Sequence, residues 1–377
     1  MKRSVAIIQT RLTHYRVPLF EGLKTSLQGY NVELKLICSE SSFDGKERKD
    51  EGYLDWSTIV AAKHLQLGGV ELFWQSALKH IADSDLIIVP QENRLVLNYL
   101  LFIRKFFVNK KLAFWGHGKN MQAENTNWFK DQWKSLFLTL PDWWFAYTNI
   151  TKNILLSAGF PESRITVVQN AIDNVELKMH ASQVKPSEIE ELKRVLGISG
   201  GSVGIFCGSI YAGKRMNMCL EIVKRIKTYV NDFEFVIIGS GPEQKLAADA
   251  AKENKWIHYV GPKHGYEKAL HLKLGKFLLL PYSTGLAILD SFILGIPAVI
   301  MDNGSHGPER AYLENNINGI IAKDVNALVG SVTDLLSDPL KMKAMSEQCL
   351  TCGDCYTIEK MINNFSSGIL SCLAPQP

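Results

Sequence analysis

The chain offers one strong candidate for holding an anion, the small polar turn Tyr282-Ser283-Thr284-Gly285. It is entered from Phe277-Leu278-Leu279-Leu280, an apolar run of strand length closed by Pro281. From Leu286 the apolar residues Leu286, Ile288, Leu289, Phe292 and Ile293 fall at helical spacing, and Gly295 with Pro297 ends the helix. A strand that feeds a helix N-terminus through a tight turn presents free N–H groups and the positive end of the dipole. The turn is therefore a candidate pocket for a nucleotide diphosphate. A second candidate is the cation pair Lys214-Arg215, a short turn beyond the strand end Cys207-Gly208-Ser209. A solvated pair at a helix start is the plainer reading, but positive charge is mildly unfavourable there, which favours a ligand role.

Phe114-Trp115-Gly116-His117-Gly118-Lys119 ends another predicted strand with glycine on both sides of a histidine. Glycines let backbone approach a ligand closely, so His117 reads as a site residue, and Lys119 beside it could reach a phosphate. Thr10-Arg11-Leu12-Thr13-His14-Tyr15-Arg16 follows the first strand. Arg11, His14, Tyr15 and Arg16 suit an anionic or sugar acceptor, and equally Tyr15 and Arg16 could pack the helix that follows. Glu309, after Pro308, could bind a sugar hydroxyl, but a first-turn glutamate stabilised by the dipole is the better reading. Cys349, Cys352 and Cys355 form a CxxCxxC run. With only the distant Cys372 to follow and no nearby histidine, helix packing accounts for them better than a metal does.

These segments carry a resemblance. Gly285-Leu286-Ala287-Ile288-Leu289-Asp290-Ser291-Phe292, Gly295-Ile296-Pro297-Ala298-Val299, Pro308-Glu309 and Asn318-Gly319 resemble the donor-binding region of retaining glycosyltransferases of family 4, which have the GT-B fold. The resemblance implies that Asp290 contacts the donor ribose and that the turn before it cradles the pyrophosphate. It implies that Lys214, six residues beyond Gly208, faces the donor diphosphate. Ser209 stands where the family's arginine is usual, so either Arg215 substitutes for it or the site carries less positive charge. Tyr282 stands where the family usually has a glutamate. The resemblance also sets Gly239, in Gly239-Ser240-Gly241-Pro242, near the nucleotide base, frames that base with Gly261-Pro262-Lys263, and brings His117 to the donor sugar. A GxGP turn alone is weak evidence, since many such connections need glycine. Val168-Gln169-Asn170-Ala171-Ile172-Asp173 matches the family's interdomain turn and serves as a fold marker.

The elements that position these groups repeat in two runs. Ser4 to Gln9, Val32 to Cys38, Leu86 to Pro90, Leu112 to Trp115, Trp144 to Tyr147 and Ile165 to Gln169 read as strands. Phe73 to Ala82 and Asn98 to Phe107 carry helical spacing between them, and Ser39 to Trp56 reads as a long exposed loop. After a Gly/Ser patch at Gly197, Gly200 and Gly201, taken as the hinge, the alternation restarts at Val203. Alternating strands and helices predict parallel sheets covered on both faces. The expected fold is α/β, GT-B: two Rossmann-like doubly wound domains facing each other across a cleft. Residues 1–198 are the expected acceptor domain and 199–355 the donor domain, with a C-terminal helix in 356–377 crossing back.

With 377 residues, 46% hydrophobic and 21% charged, the chain reads as a soluble two-domain protein. No run reaches the roughly 18 apolar residues of a membrane span, and Met1-Lys2-Arg3-Ser4 leads into a strand instead of a secretory signal. Seven cysteines without an export signal predict reduced thiols in the cytoplasm. A net charge of +4 does not suggest nucleic-acid binding. Between Leu97 and Phe137, basic residues alternate with Tyr99, Phe102, Phe106, Phe107, Phe114, Trp115 and others, a mixture suited to an anionic membrane surface. The expected activity is retaining transfer of a sugar from a nucleotide-diphosphate sugar to a glycan or lipid-linked hydroxyl, in bacterial surface polysaccharide synthesis, without metal or cofactor. Two rivals are a GT-B sugar-nucleotide epimerase and a partner-dependent binding subunit.

Overall fold

The structure is a computed structural model and describes residues 2–39, 51–67, 70–105, 107–118, 137–303 and 306–375. Lys119, Phe106 and the basic and aromatic residues between 119 and 136 lie outside the described residues, as does most of the loop expected after Ser39. The chain forms two compact units, one of residues 1–173 with 358–377, the other of residues 174–357.

The first unit is built on a parallel sheet of seven strands: β1 (Arg3–Gln9), β2 (Val32–Ser39), β3 (Thr58–Val60), β6 (Leu86–Pro90), β7 (Lys111–Gly116), β8 (Trp143–Ala146) and β9 (Ile165–Val167). Their order is β3-β2-β1-β6-β7-β8-β9. Continuous apolar runs such as Val5 to Ile8 and Leu86 to Val89 are buried, as parallel strands covered on both faces must be. Helices α1 (Val17–Gln28), α2 (Val96–Lys105) and α3 (Asn149–Ser157) supply the covering layers. An antiparallel hairpin of β4 (Ala62–Leu67) and β5 (Val70–Gln75) stands apart from this sheet. The hairpin corrects the helix expected over Phe73 to Ala82. Phe73, Gln75 and Ala77 are buried while their neighbours are not, which is the period of a strand.

The second unit begins with two helices, α4 (Val175–Gln183) and α5 (Pro186–Leu196). Six parallel strands follow: β10 (Ser202–Cys207), β11 (Phe233–Ile238), β12 (Ile257–Gly261), β13 (Phe277–Leu279), β14 (Ala298–Met301) and β15 (Gly319–Ala322), ordered β12-β11-β10-β13-β14-β15. Helices α6 (Met216–Tyr229), α7 (Gln244–Glu253), α8 (Gly265–Leu272), α9 (Ala287–Leu294), α10 (Val325–Ser337) and α11 (Pro339–Gly353) connect and cover them. Units therefore change at Asp173/Asn174 and not at the Gly/Ser patch near residue 198. Leu177, Ala181 and Val184 of α4 and its following turn explain the difference, since they bury their apolar faces against Ala269 and Leu270 of α8.

The last helix, α12 (Ile358–Leu373), belongs to the first unit and packs on α1 and the β8–β9 edge. A Cβ at Gly368 would stand 2.8 Å from the Phe145 ring, so glycine sets how closely this helix approaches the sheet. Phe365 stacks on Phe145 at 4.5 Å in the same contact.

Candidate functional site

In the second unit the strand order reverses between β10 and β13, the topological switch point where doubly wound sheets take ligands beyond the strands' carboxyl ends. Both candidate phosphate segments leave the sheet there. β10 delivers Gly208, exposed Ser209 and a short 3-10 turn, Ala212–Lys214. β13 delivers Tyr282 to Gly285, and Gly285, at φ +58°, turns the chain into α9. Helix α9 has no side-chain N-cap. Its first N–H groups therefore rely on other partners.

The two segments are joined by Lys214. Its Nζ donates to the Ser283 carbonyl at 2.5 Å and lies 3.4 Å from that of Thr284. Burial pushes this ammonium down to about 8, although Cys207 and Glu309 pull in the opposite direction. Arg215, the next residue, is exposed, and its guanidinium carbon sits 3.6 Å from the centroid of the Tyr282 ring. Consecutive cations thus reach consecutive residues of the turn.

Asp290 lies in the first turn of α9, 7% exposed, with its carboxylate 2.7 Å from the Lys268 ammonium of α8. Burial opposes charge on Lys268, yet the charge and hydrogen bond of Asp290, with Cys207 and Glu176, together outweigh it and the amine is held above its ordinary value. Glu309 is buried in the 3-10 turn Pro308–Tyr312, and a Cβ at Gly307 would meet its Oε2 at 2.5 Å and the Gly285 Cα at 3.7 Å. His306 is buried too; its Nε2 pairs with the Met301 carbonyl, and burial lowers its pKa. Gly239, at φ +144°, crosses so close to Gly208 that a Cβ would overlap the Gly208 carbonyl. Gly261 carries φ +71°, and its carbonyl accepts from the Gly239 N–H at 2.9 Å. Lys214, Arg215, Tyr282, Ser283, Thr284, Gly285, Leu286, Asp290 and Glu309 are therefore gathered around one strand-to-helix turn.

A different cluster forms in the first unit. Arg16 is 8% exposed: its Nη2 donates to Asn170 Oδ1 at 2.7 Å, and its guanidinium faces the Trp115, Tyr15 and Tyr147 rings at 5.1 to 5.8 Å. His117 follows β7, with its ring edge-on to Tyr147 at 4.4 Å. Burial, helped by the Arg16 charge, pushes His117 down to about 4, so its imidazole is neutral at pH 7. His14 is exposed, and Arg11 and Tyr15 are half-buried.

Lys268 was not legible as a site residue. Nothing in the local sequence of α8 points at Asp290, and only the fold joins them. The aromatics expected on a basic surface also differ. Phe102, Phe114 and Phe137 pack edge-on and tilted at 5.0 to 5.4 Å inside the core, leaving Ile103 and Phe107 exposed. Cys349 is fully buried in α11, where its thiol donates to the Asn318 carbonyl at 3.1 Å and burial raises it to about 12. Among the described residues no helix is long and apolar enough to cross a membrane.

Residues 201–338 match the family model described as Glycosyl transferases group 1. No curated protein matches the chain. Among solved structures, HepE of Anabaena in complex with UDP has a TM-score of 0.68 at 10% identity, covering 98% of this chain and 100% of that one. A glycosyltransferase from Rickettsia africae has a TM-score of 0.69 at 13% identity and covers 100% of both. A putative UDP-N-acetylglucosamine 2-epimerase from Listeria monocytogenes has 0.61 at 15%, covering 98% and 96%. The architecture is GT-B. The matched domain, on that fold, makes the chain an enzyme of the glycosyltransferase type.

Proposed function

We propose that the chain is a retaining glycosyltransferase of family 4 that takes its sugar from a nucleotide-diphosphate sugar and delivers it to a hydroxyl of a glycan or lipid-linked acceptor. The observation that carries this reading is Lys214, whose partly desolvated ammonium lies on the Ser283 and Thr284 carbonyls at the entry to α9. Cations and helix N–H groups fixed before the reaction can neutralise a departing diphosphate without solvent reorganisation. Asp290 accepts the ribose hydroxyls in this reading, with Lys268 holding its carboxylate. Gly208, Ser209, Gly239 and Gly261, at the carboxyl ends of β10, β11 and β12, are the further nucleotide contacts in this reading. HepE of Anabaena has a crystal structure in complex with UDP-glucose, which makes UDP the first nucleotide to test.

His117 is neutral at pH 7 and therefore suits hydrogen bonding to the donor sugar. Arg11, His14, Tyr15, Arg16, Lys119 and Glu309 are the acceptor candidates, with Arg16 acting from a buried position through its neighbours. The setting that fits is surface polysaccharide assembly at the cytoplasmic face of a membrane, where exposed Ile103 and Phe107 beside Arg104 and Lys105 would meet anionic lipid. The test is thermal shift of the pure chain against UDP, GDP, dTDP, ADP and CMP and their sugars, followed by turnover of the winning donor. A diphosphate at 100 times its Kd adds about 2.7 kcal/mol of apparent stability. No shift from any of them refutes the donor reading. Interconversion of UDP-N-acetylglucosamine without transfer would favour the epimerase.

A further inference from the structure

Arg215 stands in two unfavourable positions at once. Its backbone is left-handed, at φ +48° and ψ +57°, a conformation unfavourable for a side-chain-bearing residue. It also sits at the N-cap of the 14-residue α6, where the positive end of the helix dipole repels a cation, and no acidic residue lies in the first turn. Among the described residues its guanidinium makes no ion pair within 4.0 Å, although Glu243 lines the same open cavity of about 510 Å³. What holds the guanidinium is the face of Tyr282, 3.6 Å away.

We propose that Tyr282 is a positioning residue, whose ring fixes Arg215 beside the Ser283–Gly285 turn with its charge intact for the donor diphosphate. The inference rests on the donor reading above and adds a reason for an aromatic side chain at this place. A ring attracts a cation through its quadrupole and carries no net charge. A carboxylate in the same position would pair with the guanidinium and cancel most of the charge offered to a phosphate. Lys214 is already engaged with two carbonyls, so Arg215 is the cation of the pair left without an oxygen partner among the described residues.

The experiment is calorimetric titration of UDP, or of whichever of GDP, dTDP and ADP raises the melting temperature most, into the purified full-length chain and its Tyr282→Phe, Tyr282→Leu, Tyr282→Met, Tyr282→Glu, Arg215→Gln and Arg215→Gln/Tyr282→Leu variants, each checked by melting temperature. Tyr282→Phe should bind within about twofold of wild type, while Tyr282→Leu and Tyr282→Met weaken binding about fivefold. Tyr282→Glu should weaken it at least as much. In the Arg215→Gln background, Tyr282→Leu should cost nothing further, because the ring acts through the arginine. Wild-type affinity in folded Tyr282→Leu or Tyr282→Met overturns the proposal while leaving the donor reading standing. So does a loss of equal size in the Arg215→Gln background, or tighter binding by Tyr282→Glu. A wild-type chain that binds no nucleoside diphosphate overturns both.

Discussion

Lys214 predicts a pH dependence of nucleotide binding with a definite sign. In the free chain, burial lowers the ammonium to about 8. A bound diphosphate, two negative charges within contact, should return it to at least its ordinary 10.5. Binding therefore favours the protonated lysine, and raising the pH removes that proton from the free chain first. About one lysine in ten is neutral at pH 7 and about nine in ten at pH 9, so UDP affinity should fall about tenfold between them. Calorimetry at pH 9 in two buffers of different ionisation enthalpy should register uptake of about 0.9 proton per UDP bound. Lys214→Arg keeps its charge throughout and should flatten the profile. A Kd that is constant from pH 7 to 9 refutes the argument. An unchanged slope in Lys214→Arg does so too, by assigning the titration to another group.

Three further outcomes follow from the geometry. Asp290→Asn leaves the largely buried Lys268 ammonium without its carboxylate and should cost about 2 kcal/mol in urea unfolding, whereas adding Lys268→Met should recover part of it. His117 is about 4 folded against an ordinary 6.5. The unfolded chain binds the proton more readily, so this contribution is complete above pH 6.5 and is lost as pH falls toward 4, by at most about 3 kcal/mol. Acid melting curves of His117→Gln should lack that part of the slope. Gly239→Ala forces a Cβ onto the Gly208 carbonyl at a φ few side chains adopt, and should lower stability by about 3 kcal/mol, read from the same urea curves.

The strands of the second unit were readable because parallel strands covered on both faces are unbroken apolar runs. Phe233–Ile238 is buried at every position, and Ala298–Met301 likewise. The hairpin was hidden for the opposite reason. Lys63, His64, Gln66 and Glu71 interrupt β4 and β5, and the apolar positions left over fit helical and strand spacing alike. Unit membership was hidden as well. The glycines at 197, 200 and 201 do mark a break in periodicity, but α4 joins the second unit through contacts with α8, nearly ninety residues onward, and no local pattern encodes these.

The same division between local and distant information runs through the candidate site. The turn and the cation pair were legible since each is a short segment with its own chemistry: strand, break, helix for one, two adjacent charges for the other. What the fold adds is their partnership. Lys214 reaches across 69 residues to Ser283, and Lys268 across 22 to Asp290. Tyr282 is the sharpest case. From sequence it is a departure from an acidic position, and so a loss. Beside Arg215 the same ring becomes the partner of a strained, exposed cation. Whether a substitution removes a function or changes its physical basis depends on the group it faces, and here that group is an arginine whose charge an acid would have cancelled.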